Sequence, residues 1–189
     1  MAGVLAAPRG TEGNMVGIAY NANLVSCRAA ADVFIDEARE VKGVSDAFTV
    51  AAQRADVKVI SMSMGRITVS SQIRDAIQYA HAKGKLIFCA AGTSFAFTAN
   101  WAGVIFPATL PEVQAVTGVK QLTNFEACSH CHTGPEVDFV VEMERVSDRT
   151  FPLTVSDRGN EPSTIGGSSV ATASMAAMTA LVWSRYPYF

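Results

Sequence analysis

A serine preceded by small residues stands at the start of the last apolar segment of the chain. Ser169 follows Gly166, Gly167 and Ser168, and an alanine-rich run without glycine or proline covers residues 172–183. We predict that this run forms a largely buried helix with Ser169 at its N-terminus. Free N–H groups and the helix dipole favour negative charge at that end. They would suit the oxyanion of an acyl-transfer reaction in which Ser169 is the nucleophile.

The same pattern has two plainer interpretations. Ser169 could be only an N-cap after a glycine loop, or the turn at residues 166–169 could cradle a phosphate group. The nucleotide-binding patterns GxGxxG and GxxxxGK[ST] do not occur in the sequence, which argues against a nucleotide. The elements around the serine must therefore decide its role.

Short strand-like runs alternate with helical periods along the chain. We predict helices over residues 45–54, with Ser45 as N-cap, and over 70–83, ending before Gly84. The predicted strands cover residues 24–27, 57–62, 85–91, 113–119 and 137–141, with a hairpin around 151–155. This alternation is typical of βαβ units, in which helices cover both faces of a mostly parallel sheet. We interpret residues 1–189 as one three-layer α/β domain.

Composition excludes several classes of protein. Of the 189 residues, 49% are apolar and 17% are charged, which is typical of a globular core rather than a disordered chain. The net charge of −2, without a basic block, argues against a nucleic-acid partner. The sequence contains no run of about 20 predominantly apolar residues, the length that a membrane-spanning helix needs. The first ten residues lack the pattern of a secretory signal.

Five segments resemble motifs of subtilisin-like serine peptidases, in the same order and at similar spacing. Ligands of open parallel sheets bind beyond the carboxyl ends of the strands, and we expect part of three of these segments to lie there. The segments are GIAYNANL at residues 17–24, ISMSMG at 60–65, AAGT at 90–93, FPA at 106–108 with the strand that follows it, and GSSVATA at 167–173. The resemblance covers the whole chain and is loosest over residues 142–165.

The resemblance implies roles for particular residues. Ser169 would be the nucleophile of an endopeptidase that acts on polypeptides through an acyl-enzyme. Thr93 stands at the oxyanion position, where the family usually has an asparagine. Phe106-Pro107 would be a cis peptide bond. The substrate-binding residues would be Ser63, Met64 and Gly65 on one pocket wall, Ala90, Ala91 and Gly92 on the other, and Gly167 and Ser168 beside the nucleophile. Ser63 to Gly65 would also offer an exposed edge to an extended peptide.

The aspartate and histidine of the catalytic triad have no counterpart in the sequence. In subtilisins both precede the serine, and the first residues, MAGVLAA, resemble the stretch just after that histidine. The histidines at 81, 130 and 132 do not match it. We therefore expect a fragment truncated at the N-terminus, inactive or nearly so by itself, with apolar strand edges exposed where upstream strands would insert. A catalytically silent peptide-binding module is the alternative, and an unrelated phosphate-binding α/β domain is a third.

Four cysteines complete the set of reactive side chains. Cys27 and Cys89 lie in strand-like runs, where we expect buried thiols. Cys128 and Cys131, in the segment CSHCH, could form a local disulfide, stay free or, less readily, bind zinc. We expect no cofactor. The family often binds calcium, but residues 11–14 resemble a calcium-binding segment too weakly for a site to be assigned. The resemblance also implies a secreted protein, and the oligomeric state stays open.

Overall fold

Four parallel strands form the central sheet of the computed structural model, which describes residues 1–9, 16–94, 103–144, 153–155, 162–164 and 166–188. Their order in the sheet follows their order in the chain. The strands are β1 (Val59–Met62), β2 (Leu86–Ala90), β3 (Gln114–Lys120) and β4 (Val137–Glu144). Since β1 and β4 each pair on one side only, they are the edges of the described sheet.

Four helices and a small second sheet complete the described elements. The helices are α1 (Ala2–Ala6), α2 (Ala38–Gln53), α3 (Ser71–Ala82) and α4 (Ser168–Arg185). The short strands β5 (Leu153–Val155) and β6 (Pro162–Thr164) pair antiparallel. The hairpin predicted around residues 151–155 is thus confirmed only in part, because residues 153–155 form a strand whose partner lies beyond the predicted range. Residues 151 and 152 lie outside the described residues. None of the described helices is both long enough and apolar enough to span a membrane.

Helices cover both faces of the four-stranded sheet. On one face, Ile73 and Ile77 of α3 belong to a buried cluster that also contains Ile87 and Cys89 of β2. On the other face, Val170 of α4 joins a second cluster, whose members include Val4, Phe88 and Val116. Branched and alanine side chains fill both layers, and their burial is the main force that holds the three layers together. The predicted three-layer α/β fold is confirmed.

The start of α2 differs from the prediction. The helix begins at Ala38 rather than at residue 45, and Ser45 lies buried inside it, where its Oγ donates to the carbonyl of Val41 at 2.9 Å. The cap is a capping box of Glu37 and Glu40. The Glu40 carboxylate accepts the N–H of Asp36 at 3.0 Å, and this and other backbone hydrogen bonds lower the pKa of Glu40.

The predicted strand at residues 24–27 is wrong. This segment has no strand conformation, Leu24 is 48% exposed, and the Cys27 thiol is exposed instead of buried. An apolar run becomes a strand only where a neighbour supplies the backbone hydrogen bonds. No described strand pairs with this segment. The prediction for Cys89 is confirmed, because it is fully buried in β2 and burial raises the pKa of its thiol.

The close approach of Gly17 to α1 gives a test of the packing near the N-terminus. Gly17 N–H donates to the carbonyl of Ala7 at 2.9 Å, and a Cβ on Gly17 would lie 2.3 Å from the nitrogen of Ala7. Because the obstacle is backbone, we expect Gly17→Ala to lower the free energy of unfolding by about 1–3 kcal/mol in urea titrations. Gly134→Ala is the control, since its nearest obstacle is the mobile end of the Glu136 side chain. Equal stability of the two variants would contradict the packing.

Candidate functional site

Ser169 is the second residue of α4. The helix is capped by Gly167, whose φ of 91° lies in the left-handed region that favours glycine. Ser169 is partly exposed, while the residues around it in the helix are buried. The carbonyl of Ser169 accepts a hydrogen bond from Ser63 Oγ at 2.9 Å. The start of α4 is thus fixed to the segment that follows β1.

Thr93 meets the same end of α4. Its Oγ1 lies 2.9 Å from Ser168 Oγ, and either hydroxyl can be the donor. A Cβ on Gly167 would lie 3.1 Å from Thr93 Oγ1, which explains why a glycine suits that position. Two hydroxyls therefore meet at the N-terminus of α4, where the helix dipole favours negative charge.

The two predicted pocket walls are neighbours at the carboxyl edge of the sheet. Met62, the last residue of β1, pairs with Cys89 of β2, so Ser63 and Ala90 follow on adjacent strands. Ala90, Ala91 and Gly92 are buried, and Gly92 has a φ of 126°. The structure brings both segments to the end of the sheet that carries Ser169. Phe106-Pro107 is a cis peptide bond, as predicted.

The expectation of an exposed peptide-binding edge is wrong at Gly65. Its N–H donates to the carbonyl of Val33 and its carbonyl accepts from Ile35 N–H, both at 3.0 Å. The next residue, Arg66, exchanges two backbone hydrogen bonds with Phe106. Gly65 is buried, and the chain's own residues 33–35 hold its polar backbone groups. The sequence did not indicate this contact because it joins segments about thirty residues apart.

The segment CSHCH contains a disulfide between Cys128 and Cys131, which was one of the predicted states. His130 is exposed, but His132 is buried and its ring lies against the Gly92 turn. Sequence reasoning treated both histidines as loop residues and missed this difference. The one hint in the sequence was the glycine at position 92, distant along the chain, which leaves room for a ring.

Other reactive groups lie elsewhere. His81 is exposed on α3, as predicted. In the described part of the chain, no cluster of histidine, cysteine, aspartate or glutamate could hold a metal ion. Residues 11–14, considered for calcium, lie outside the described residues. A cavity of about 430 Å³ opens at the opposite end of the sheet, between Leu86, Glu112 and Trp183. It is separate from the serine.

Known proteins share the sequence pattern of this chain. The profile of the subtilase family (peptidase S8) matches residues 1–189. The chain is 31% identical over 134 residues to a thermostable alkaline protease of Halalkalibacterium halodurans, covering 71% of this chain and 33% of the relative. It is 27% identical over 203 aligned residues to a subtilisin of Bacillus sp. strain TA39, covering 99% of this chain and 46% of the relative. The chain thus spans less than half of either relative.

Solved structures show the same fold. A psychrophilic protease superposes with a TM-score of 0.76 at 25% identity, over 100% of this chain and 63% of that one. An epidermin leader peptide processing serine protease from Staphylococcus aureus superposes with a TM-score of 0.74 at 19% identity, over 98% and 52%. With a family profile that matches from the first residue to the last, the interpretation as an unrelated phosphate-binding domain is wrong, and this chain belongs to the subtilase family.

Proposed function

We propose that this chain carries the nucleophile and part of the oxyanion site of a serine endopeptidase. The observation that supports this most directly is the position of Ser169. It is partly exposed at the N-terminus of α4 and is joined to β1 through Ser63, while Ser168 meets Thr93. A serine at such a place is held rigidly and faces favourable potential for an oxyanion.

The proposed reaction uses only protein groups and water. Ser169 Oγ attacks the carbonyl carbon of the scissile peptide while a general base takes its proton. The carbonyl oxygen becomes an anion, which helix N–H groups and the Thr93 hydroxyl stabilise. The C–N bond then breaks, the amine leaves with the proton, and water hydrolyses the acyl-enzyme. No cofactor is required by this chemistry.

No residue among the 189 corresponds to the histidine that serves as general base in subtilisins, or to the aspartate beside it. A serine hydroxyl is a poor nucleophile without a base to take its proton. We propose that the chain alone is inactive or nearly so, and that it acts with an aspartate and a histidine of the subtilisin type. A secreted location is inferred from the family alone.

The test supplies the missing groups. The chain is produced with the Asp- and His-bearing segment of the TA39 subtilisin fused before Met1, and this joined protein is assayed with peptide p-nitroanilides and an active-site fluorophosphonate. We expect hydrolysis and labelling at Ser169 in the joined protein, and neither in the 189-residue chain. A folded joined protein without hydrolysis or labelling would refute the peptidase proposal.

A silent peptide-binding module is the second candidate. The replacement of the family's asparagine by Thr93 favours it, because the threonine hydroxyl reaches less far than a side-chain amide. The two candidates differ in one outcome. A silent module would bind peptide in the joined protein without releasing product.

Peptide binding should also disturb the contact at Gly65. If a substrate strand adds there, it must replace residues 33–35, since these hold both backbone groups of Gly65. We expect saturating peptide to raise amide hydrogen exchange at Ile35, while Gly65 stays protected by its new partner. The measurement is exchange followed by NMR in the Ser169→Ala variant of the joined protein. Unchanged exchange at Ile35 with bound peptide would place the peptide away from Gly65.

A further inference from the structure

The disulfide loop, residues 128–132, runs beside the segment that carries Thr93. Thr93 forms an antiparallel bridge with Cys131. On either side of this bridge, Ser94 N–H donates to the carbonyl of His130 at 2.7 Å, and His132 N–H donates to the carbonyl of Gly92 at 3.0 Å. Residues 92–94 are therefore held by the disulfide loop on one side, while Thr93 reaches Ser168 with its side chain.

The side chain of His132 contacts this segment directly. The residue is 3% exposed. A Cβ on Gly92 would lie 2.3 Å from His132 Nδ1, so the ring occupies the space that a side chain at 92 would need. The Nε2 atom of the ring shares a hydrogen bond with Ser94 Oγ at 2.9 Å. The ring thus contacts the residues on both sides of Thr93.

The loop is in turn anchored to the middle of the sheet. Thr117 Oγ1 on β3 donates to the carbonyl of His132 at 2.6 Å. Cys128 N–H donates to the carbonyl of Gly118 at 2.9 Å, and a Cβ on Gly118 would lie 3.0 and 3.1 Å from the two sulfurs, closer than ordinary van der Waals contact. β3 is an inner strand of the described sheet. The hydrogen bonds to β3 therefore fix the disulfide loop, and the loop in turn fixes residues 92–94.

The surroundings of the ring favour its neutral form. Burial lowers the pKa of His132, and a hydrogen bond with the backbone of Gly103 opposes that shift only in part. A neutral imidazole offers one donor and one acceptor nitrogen, which suits a hydroxyl partner such as Ser94. Its contribution is therefore packing and hydrogen bonding rather than charge.

We propose that His132 is a positioning residue for the oxyanion side of the Ser169 site, holding residues 92–94 so that Thr93 faces the start of α4. The role in the reaction rests on the proposed function. Positioning matters because a displacement of about 1 Å in a catalytic arrangement costs on the order of a hundredfold in rate.

The test compares two replacements of His132 in the joined protein. His132→Leu keeps most of the volume and loses the hydrogen bond, whereas His132→Gln places an amide nitrogen near the position of Nε2. We expect His132→Leu to lower kcat by about a hundredfold while KM stays within about twofold, and His132→Gln to recover most of kcat. His81→Leu, on the exposed face of α3, is the matched control.

A second measurement separates this proposal from the peptidase proposal. In the 189-residue chain, Ser94→Ala removes the hydroxyl that shares a hydrogen bond with Nε2 of the ring, without opening a core cavity. We expect faster amide exchange at Ser94 and His132 in this variant, with exchange along α4 unchanged. Unchanged exchange would overturn the positioning role whether or not the joined protein is active. Equal kcat for the Leu and Gln variants would overturn it as well.

Discussion

Replacing Ser169 by alanine in the joined protein is expected to abolish hydrolysis, with kcat lowered by about a million-fold, the order that loss of the nucleophile costs subtilisin. No other group can form the acyl-enzyme in the proposed mechanism. The residual rate would come from the oxyanion donors and substrate binding acting on water. KM should change little, because the hydroxyl contributes mainly to the transition state.

The matched control lies on the same helix. Ser184 is exposed near the end of α4, where its Oγ donates to the carbonyl of Leu181 at 2.7 Å. Ser184→Ala removes a hydroxyl of the same kind without approaching the site, so kcat should be unchanged. Progress curves with a peptide p-nitroanilide and labelling by fluorophosphonate measure both variants. Labelling that persists in Ser169→Ala would show that the nucleophile is another residue.

Local patterns predicted the elements that carry their own start and stop signals. Helix α3 has Ile73, Ala76, Ile77 and Ala80 on its buried face. Ser70 Oγ caps it by accepting Ile73 N–H at 3.4 Å, and Gly84 follows with a φ of 74°. The parallel sheet could be predicted for the same reason, because buried β-branched runs alternate with helices. Each of these signals lies within a few residues of the element that it defines.

Contacts between distant segments were beyond the reach of such patterns. Residues 33–35 pair with Gly65, and His132 is buried against Gly92. Each of these contacts joins parts of the chain thirty or more residues apart. The exposure of residues 24–27 likewise depends on which strands lie beside them. The family motifs did select the segments that meet at one end of the sheet. They did not indicate how Thr93 is held there.

Thr93 is the residue whose replacement should test the oxyanion site most directly. Its Oγ1 lies 2.9 Å from Ser168 Oγ, and the bond has two possible directions. If Ser168 donates, the Thr93 proton is free to point at the substrate oxygen. If Thr93 donates to Ser168, that proton is used and the oxyanion depends on helix N–H groups alone.

We expect Thr93→Val, which keeps the shape and removes the hydroxyl, to lower kcat of the joined protein by up to about a hundredfold without changing KM, because one donor to an oxyanion contributes about that much. Thr93→Asn should raise kcat by about tenfold, since the amide is a longer-reaching donor.

The control for these variants is Thr49→Val. Thr49 lies on α2, where its Oγ1 donates to the carbonyl of Ser45 at 2.9 Å, in a different layer from the site. Thr93→Val and Thr49→Val each remove one threonine hydroxyl. A loss of kcat confined to Thr93→Val therefore indicates an effect on the transition state. Full activity of Thr93→Val, with no gain from Thr93→Asn, would mean that Thr93 donates to Ser168 and that the N-terminus of α4 stabilises the oxyanion without it.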